Sequence, residues 1–167
     1  KYNLPRRTND MPGKKRRKKS ETLRQILKEK SKEGLELAKK IMLAEEIESE
    51  TIRQALRYYV SDWENYTYPA LFSIAYEAVG GDPHKAVNVQ AALAMLIGAL
   101  DIHDDVIDKS KIKGGKPTVF GKFGQEVALL LGNAFLVNGF TLLSRSVAGL
   151  PVEKVGRVAE TIKKSMF

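Results

Sequence analysis

Residues 87–108 read VNVQAALAMLIGALDIHDDVID, and this stretch decides the fold class. Its larger part is apolar nearly all round and contains no Lys or Arg, a pattern typical of a helix buried inside a protein. Its end carries four aspartates, whose spacing of three, four and seven residues puts them on one side of a helix. They are Asp101, Asp104, Asp105 and Asp108. The stretch therefore predicts an apolar helix with an acidic C-terminal end.

Helical patterns continue on both sides of this stretch. Apolar residues recur every three or four positions, Gly and Pro separate the segments, and no alternating β pattern is visible. The predicted helices cover about Ser20 to Ile47, 49–63, 69–79, 84–108, 121–147 and 151–167. The helix at 121–147 is apolar nearly all round, so we expect it at the centre of a bundle. The predicted fold class is all-α, with antiparallel neighbouring helices joined by short loops.

The basic charge of the chain lies almost entirely at one end. The sequence holds 28 Lys and Arg against 20 Asp and Glu, and residues 1–20 alone carry nine basic residues and one acidic residue. With two Pro and little to bury, residues 1–20 are predicted to form a disordered basic arm ahead of a helical domain at 21–167. A solvated tail is one role for the arm, and peripheral contact with an anionic membrane is another. Nucleic-acid binding is disfavoured because residues 21–167 are neutral overall.

The composition excludes several classes of site. The chain has no Cys and two His, which excludes disulfides, thiolate metal sites and a cysteine nucleophile and argues against a His-rich metal centre. No apolar run follows the N-terminal charges, so a secretory signal is not predicted and the expected location is cytoplasmic. The apolar stretches at 87–100 and 127–143 are too short or too interrupted to predict membrane spans.

The four aspartates need a cationic partner, because like charges three or four residues apart destabilise a helix by about 0.2–0.5 kcal/mol per pair. One interpretation is a solvated helix end close to Lys109, Lys111 and Lys113, although acidic residues are unfavourable at a helix C-terminus. The other is a site for Mg²⁺, which binds Asp oxygens and completes its coordination with water and substrate phosphate oxygens. A Mg²⁺ site beside an apolar helix suits a diphosphate joined to a hydrocarbon.

Two motifs at a fixed distance resemble those of a known family. Residues 104–108 read DDVID and are followed by GKPT at 115–118, FG at 123–124 and LLG at 130–132. This arrangement resembles the trans-isoprenyl (polyprenyl) diphosphate synthase family. The resemblance covers roughly residues 50–167 and implies the first half of an all-α bundle of the class I isoprenoid synthase type.

The resemblance implies roles for individual residues. In that family the Asp-rich motif holds Mg²⁺ that bridges the diphosphate of an allylic prenyl diphosphate. Asp104, Asp105 and Asp108 are therefore the expected Mg²⁺ ligands and catalytic residues, with Asp105 as a helper. Lys113 is the expected cation for the substrate diphosphate, while Asp101 is an extra acid that the family pattern does not require.

Two further positions bear on the hydrocarbon of the substrate. Ala99 and Leu100 stand five and four positions before the first Asp of the motif, where the family sets the wall of its hydrocarbon tunnel. Neither is aromatic, so the resemblance implies room for a long prenyl chain. The alternative is that Ala99 merely lets two helices pack closely. For His103, beside the motif, the resemblance implies a mainly structural role.

The sequence departs from the family pattern at the second diphosphate site. The family's G-K-R-x-R-P segment reads ENYTYP at 64–69, a family His is replaced by Ile97, and Gly114 stands in place of an Arg. Each lost hydrogen bond from a cation to a diphosphate is worth roughly 1.5–3 kcal/mol. We therefore expect an altered isopentenyl diphosphate site.

The length is the other departure, because the family needs about twice as many helices and a second Asp-rich motif that is absent here. The chain is expected to be incomplete or a split subunit, acting as a homodimer or in a heteromer with a second prenyltransferase subunit. The predicted function is that of a Mg²⁺-dependent polyprenyl diphosphate synthase-like prenyltransferase. Two alternatives stay open: a non-catalytic regulatory subunit of a heteromeric prenyltransferase, and a terpene synthase-like enzyme that ionises one prenyl diphosphate.

Overall fold

The computed structural model describes residues 12–166, with side chains described over residues 21–164. We number its helices in chain order: α1 Pro12–Leu43, α2 Glu50–Ser61, α3 Thr67–Ala78, α4 Val87–Ile107, α5 Val119–Phe123, α6 Gln125–Val147 and α7 Val152–Met166. A 3₁₀ turn, Pro83–Ala86, precedes α4, and a hairpin of two short strands, β1 Ile112–Lys113 and β2 Lys116–Pro117, follows it. The prediction of an all-α fold is confirmed.

The first helix begins earlier and ends earlier than predicted. α1 begins at Pro12, because Lys and Arg are good helix formers and Pro suits the first turn of a helix. α1 thus includes residues 12–20, which the sequence predicts as part of the basic arm, and residues 1–11 lie outside the described residues. α1 ends at Leu43, because acidic side chains follow it and the negative end of the helix dipole opposes them.

The predicted helix at 121–147 is two helices. Gly124 separates α5 from α6 with a φ of 89°, a left-handed conformation that ends a helix. α5 begins at a cap in which the Gly121 N–H donates to Thr118 Oγ1 at 2.9 Å. The hairpin before α5 was predicted only as a loop, because strands of two residues are too short to show an alternating pattern.

The antiparallel pair α4 and α6 forms the centre of the fold. Small residues bring the two helices together: a Cβ at Gly139 would lie 2.9 Å from Leu96. Phe135 of α6 is fully buried and packs edge-on against Trp63, with ring centroids 5.1 Å apart. α1 and α3 cover α4, and α2 packs against α6.

One side of α6 is exposed, although its apolar character predicts a position at the centre of a bundle. Val137 is 65% exposed and Leu130 is 58% exposed. α6 buries mainly the side that faces α4 and α2, and α7 packs only near its C-terminal end, where Ile162 joins the cluster around Leu143. The periodicity gave the apolar character correctly but could not tell whether a neighbour is present.

Two helical segments, Pro83–Ile107 and Gln125–Val147, are long and apolar enough to cross a membrane by length and composition. The first is mostly buried by α1, α3 and α6. Core helices commonly pass the same test, and the first segment is such a helix, whereas the second has one exposed side.

Candidate functional site

The acidic end of α4 is closed by a Schellman motif, which satisfies the last carbonyl groups of the helix. The Ser110 N–H donates to the Asp105 carbonyl oxygen at 2.8 Å, and the Lys109 N–H donates to the Val106 carbonyl oxygen at 3.2 Å. Lys109 adopts a φ of 55°, which is uncommon for a residue with a side chain. This motif turns the chain back toward α4.

The hairpin that follows carries Lys113 toward the aspartates. Gly114 and Gly115 form its two-residue turn with φ values of 59° and 82°, as a type I′ turn requires. The hairpin is held against the end of α4 because Thr118 Oγ1 donates to the Ser110 carbonyl oxygen at 2.7 Å. Lys113 therefore lies beside α4, although it is distant in sequence from the first aspartate.

Lys113 pairs with two of the four aspartates. Its Nζ lies 2.6 Å from Asp101 Oδ1 and 3.4 Å from Asp105 Oδ1. Asp105 is only 9% exposed, and Asp101 is half-buried. The cation that the acidic helix needs is thus supplied to these two carboxylates by the chain itself.

Burial and charge shift the pKa values of this group. Burial raises the pKa of the Asp105 carboxyl above its ordinary value, and the Asp101 carboxylate acts in the same direction, while Lys113 opposes both. The hydrogen bond to Asp101 raises the pKa of the Lys113 ammonium. Burial, with Asp101 and Asp105 nearby, raises the pKa of Tyr59. Lys113 is therefore held as a cation and Tyr59 as a neutral phenol.

Asp104 and Asp108 lie in a different environment, exposed on the last turn of α4. Within the part of the chain whose side chains are described, neither forms an ion pair or a side-chain hydrogen bond. They are one helical turn apart, so their carboxylates lie on the same side of the helix. Mg²⁺ is commonly held by one or two carboxylates together with water and substrate phosphate oxygens, and this donor set fits that pattern.

The three predicted metal ligands do not converge on one point. Among the described residues, no group of three or more His, Cys, Asp or Glu side chains is close enough to hold a metal ion. Asp105 turns toward Lys113 and away from a shared site with Asp104 and Asp108. The residues present fit a Mg²⁺ ion held by Asp104 and Asp108, with its remaining positions taken by other ligands.

His103 stands between the two helices at the centre of the fold. A Cβ at Gly132 of α6 would overlap its imidazole, and His103 Nε2 is buried with no hydrogen-bond partner among the described residues. His103 is next to Asp104 in the chain, so the close contact with Gly132 fixes the rotation of α4 that presents Asp104 to solvent.

Ala99 and Leu100 lie on different sides of α4. Ala99 is fully buried in the main core, where its small side chain suits the close packing of helices. Leu100 is 39% exposed and precedes Asp104 by one helical turn. An apolar side chain therefore adjoins the exposed carboxylates.

A cavity of about 770 Å³ opens between α1, α2, the end of α4 and the hairpin. Asp101, Asp105 and Lys113 line it, whereas Asp104 and Asp108 do not. Two cations from α1, Arg24 and Lys39, also line it. No local pattern singles out these two residues, because α1 carries Lys and Arg along its whole length.

In the segment at 64–69, Glu64 and Tyr66 contact cationic side chains of α1. Lys28 Nζ lies 3.1 Å from Glu64 Oε1, and Arg24 Nε donates to Tyr66 Oη at 2.8 Å. Glu64 stands where the resemblance calls for a residue of the diphosphate-binding segment. Its carboxylate engages two cations of α1 instead, since Arg24 also lies 3.7 Å from it.

Residues 49–167 match the polyprenyl synthetase family. The chain belongs to that family. The match includes the acidic end of α4, the hairpin and α6, so the resemblance seen in the sequence is confirmed.

The relatives of this family member include geranylgeranyl diphosphate synthases. The chain is 31% identical over 99 residues to the enzyme of that name from Sulfolobus acidocaldarius, covering 59% of this chain and 30% of the relative. It is 29% identical over 122 residues to the geranylgeranyl pyrophosphate synthase of Geoglobus acetivorans, covering 73% and 38%. The chain thus spans only about a third of the length of these relatives.

Solved structures agree with this assignment. Geranylgeranyl pyrophosphate synthetase from Pyrococcus horikoshii superimposes with a TM-score of 0.73 at 32% identity, covering 87% of this chain and 43% of that one. This share of the chain is larger than residues 49–167, so part of α1 is shared as well. The geranyltransferase of Legionella pneumophila, at 23% identity and a TM-score of 0.66, has the same fold over 82% of this chain and 49% of that one.

Proposed function

We propose that this polyprenyl synthetase family member binds an allylic prenyl diphosphate through Mg²⁺ held by Asp104 and Asp108, as part of a prenyltransferase. The observation that carries the proposal is the state of these two carboxylates. They are exposed, one turn apart, without an ion pair in the described part of the chain, and adjacent to the apolar side chain of Leu100. The names of the relatives, geranylgeranyl diphosphate synthases, support the same substrate class.

The other groups of the site have supporting roles in this proposal. Mg²⁺ there would offset the charge that develops on the diphosphate when the allylic C–O bond breaks. Lys113 supplies a positive charge at the same end of α4, and Asp101 and Asp105 hold that ammonium in place. Leu100 offers apolar surface to the prenyl chain, whereas Ala99 acts through close packing of α4 in the core.

The proposal includes an altered isopentenyl diphosphate site. Glu64 and Tyr66 occupy the segment where the family has cations, and both contact α1. Ile97 and Gly114 replace two further polar or charged groups of the family pattern. A chain with these replacements binds isopentenyl diphosphate weakly, or receives the missing groups from a partner subunit.

Binding of geranylgeranyl diphosphate in the presence of Mg²⁺ tests the central part of this proposal. We expect Asp104→Asn to weaken that binding by at least about tenfold, because it removes one of two charged metal ligands. Glu153→Gln, an exposed carboxylate of α7 that lies outside the cavity, should leave the affinity unchanged. Equal affinities of Asp104→Asn and the wild type would rule the site out.

We also propose that the exposed side of α6 packs against another subunit, as a homodimer or with a second prenyltransferase subunit. Contiguous exposed apolar surface is typical of interaction sites, and this side of the helix presents Leu130 and Val137. We expect Val137→Asp to shift the chain to a smaller assembly in light scattering. Val152→Asp, which changes an equally apolar and 89% exposed residue of α7, serves as the control. An identical mass for all three proteins would contradict the proposal.

A further inference from the structure

The cavity beside the Asp-rich helix contains as many acids as cations. Its lining includes four positive side chains and four negative ones. They are Arg24, Lys39, Lys113 and Lys116, and Asp62, Glu64, Asp101 and Asp105. The lining therefore carries no net charge, whereas a site for a multiply charged diphosphate requires an excess of positive charge.

Three of the four cations already have a carboxylate partner inside the same cavity. Lys113 Nζ lies 2.6 Å from Asp101, Lys116 Nζ lies 2.8 Å from Asp62, and Arg24 lies 3.7 Å from Glu64. The fourth, Lys39, lies 3.7 Å from Glu36 on its own helix. A diphosphate entering this cavity has to compete with these carboxylates for each cation and gains no net attraction from the lining.

The rest of the wall suits an uncharged ligand. Tyr58, Tyr59 and Trp63 contribute aromatic surface, and Trp63 is almost fully buried. The Tyr58 hydroxyl donates to the Pro117 carbonyl oxygen at 2.7 Å, which fixes this ring beside the hairpin. Carboxylates of the lining can accept hydrogen bonds from ligand hydroxyl groups.

We infer that this cavity takes an uncharged hydroxylated ligand, an alcohol or a phenol, in place of a diphosphate, and that Asp62, Glu64 and Asp101 set this preference. The inference rests on the proposed function in one respect, since it concerns the second ligand beside the prenyl diphosphate site. Its residues are separate from the metal-binding pair, because neither Asp104 nor Asp108 lines the cavity. A charged ligand loses more hydration than an alcohol on entry, and an electroneutral lining does not compensate that loss.

The fluorescence of Trp63 gives a direct measure of cavity occupancy, because it is the single Trp of the chain and lines the cavity. The probes are isopentenyl diphosphate and 3-methylbut-3-en-1-ol, which share one hydrocarbon skeleton. Titrations contain a chelator and no prenyl diphosphate, so their result does not depend on the metal site. For the wild type we expect the alcohol to bind at least as tightly as isopentenyl diphosphate. Tighter binding of isopentenyl diphosphate, or no binding of the alcohol, would overturn the inference.

A charge variant extends the test. Asp62→Asn, Glu64→Gln and Asp101→Asn together remove the nearest cavity carboxylate from three cations, and each carboxylate removed near the ligand is worth about tenfold in affinity for a diphosphate. We expect isopentenyl diphosphate to bind at least about 100-fold more tightly to this triple variant, with a much smaller change for the alcohol, because the new amide oxygens still accept a hydrogen bond from its hydroxyl group. An unchanged affinity for isopentenyl diphosphate in a folded triple variant would overturn the inference.

Two further proteins make this result specific. Glu45→Gln, Glu153→Gln and Glu160→Gln together change the net charge equally, and none of these residues lines the cavity, so no gain is expected. The single variant Asp62→Asn replaces the triple variant if that protein does not fold. It changes a side chain that is 57% exposed, so we expect it to keep the fold. It should gain about tenfold in affinity for isopentenyl diphosphate, and no gain would overturn the inference.

Discussion

At the scale of single residues, the four aspartates of α4 differ in what surrounds them. Asp101 and Asp105 face Lys113, whereas Asp104 and Asp108 are exposed at the helix end. The first pair is held by a cation of the chain, so the second pair is the one available to an external cation. The proposed function depends on that division.

The raised pKa of Asp105 predicts a pH-dependent effect of Asp105→Asn on stability. The folded state binds a proton on Asp105 more tightly than the unfolded state, so ionisation of this carboxyl costs folding free energy. The free energy of unfolding of the wild type, relative to the variant, should fall as pH rises from 3.8 through the raised pKa and stay constant above it. Urea unfolding across this pH range measures the difference.

Glu77→Gln is the matched control, because its sign is opposite. The hydrogen bond from Lys30 lowers the pKa of Glu77, so the stability that this carboxylate contributes is present above its ordinary pKa of 4.5 and is lost as pH falls. The free energy of unfolding of the wild type, relative to Glu77→Gln, should therefore rise with pH. If the stability of the wild type relative to Asp105→Asn also rises with pH, burial is not the dominant influence on the pKa of Asp105.

Gly132→Ala should destabilise the fold by about 1–3 kcal/mol, because the new methyl group overlaps the His103 imidazole at the closest approach of α4 and α6. Gly156→Ala, on α7 with no atom near the added methyl group, should instead stabilise by up to about 1 kcal/mol through helix propensity. Thermal unfolding of both variants checks the pair. Similar melting temperatures would mean that the contact between Gly132 and His103 is loose.

Spacing alone predicted that the four aspartates share one side of α4, but not that two of them pair with Lys113 while the other two are exposed. The positions of Asp101, Asp104, Asp105 and Asp108 on one side of a helix follow from a period of 3.6 residues. The contacts of Lys113 with two of them depend on a hairpin whose turn geometry is set by Gly114 and Gly115. Arg24 of α1 joins the same cavity only through tertiary packing, which no local pattern records.

At the scale of elements, the end of α4 and the hairpin form the unit that builds the site. The helix stops in a Schellman motif without the Gly that such motifs usually contain, since Lys109 occupies the left-handed position. Helix existence was predictable from apolar periodicity and from the Gly and Pro residues between segments. The break at Gly124 and the early end of α1 were not, because helix ends depend on caps and on charges around them.

Lys109→Gly should stabilise the chain by roughly 1 kcal/mol, because Gly adopts the left-handed conformation without the cost that a side chain brings. Lys111→Gly serves as the control, since this nearby Lys does not adopt a positive φ and a Gly there only adds freedom to the unfolded chain. Chemical denaturation of both variants measures the difference. A loss of stability in Lys109→Gly would show that the lysine side chain makes a contact of greater value than the strain it carries.

At the scale of the whole molecule, the described helices carry an Asp-rich site at the end of α4 and an exposed apolar side of α6. The fold class was predictable from the sequence, and so was the family, because the DDVID and GKPT motifs stand at the family's distance. The exposure of α6 was not predictable, because an apolar helix shows what it can bury and not which neighbour covers it. Both the site and the exposed helix side belong to the part of the chain that matches the family.

The dependence of geranylgeranyl diphosphate binding on Mg²⁺ tests whether Asp104 and Asp108 hold the metal. Calorimetric titration with Mg²⁺ and with a chelator, on the wild type and on Asp104→Asn combined with Asp108→Asn, gives four affinities. We expect Mg²⁺ to tighten binding to the wild type by at least about 100-fold and to leave the double variant unaffected, because these two carboxylates are the proposed charged ligands of the metal. A double variant that keeps the full effect of Mg²⁺ would contradict this expectation.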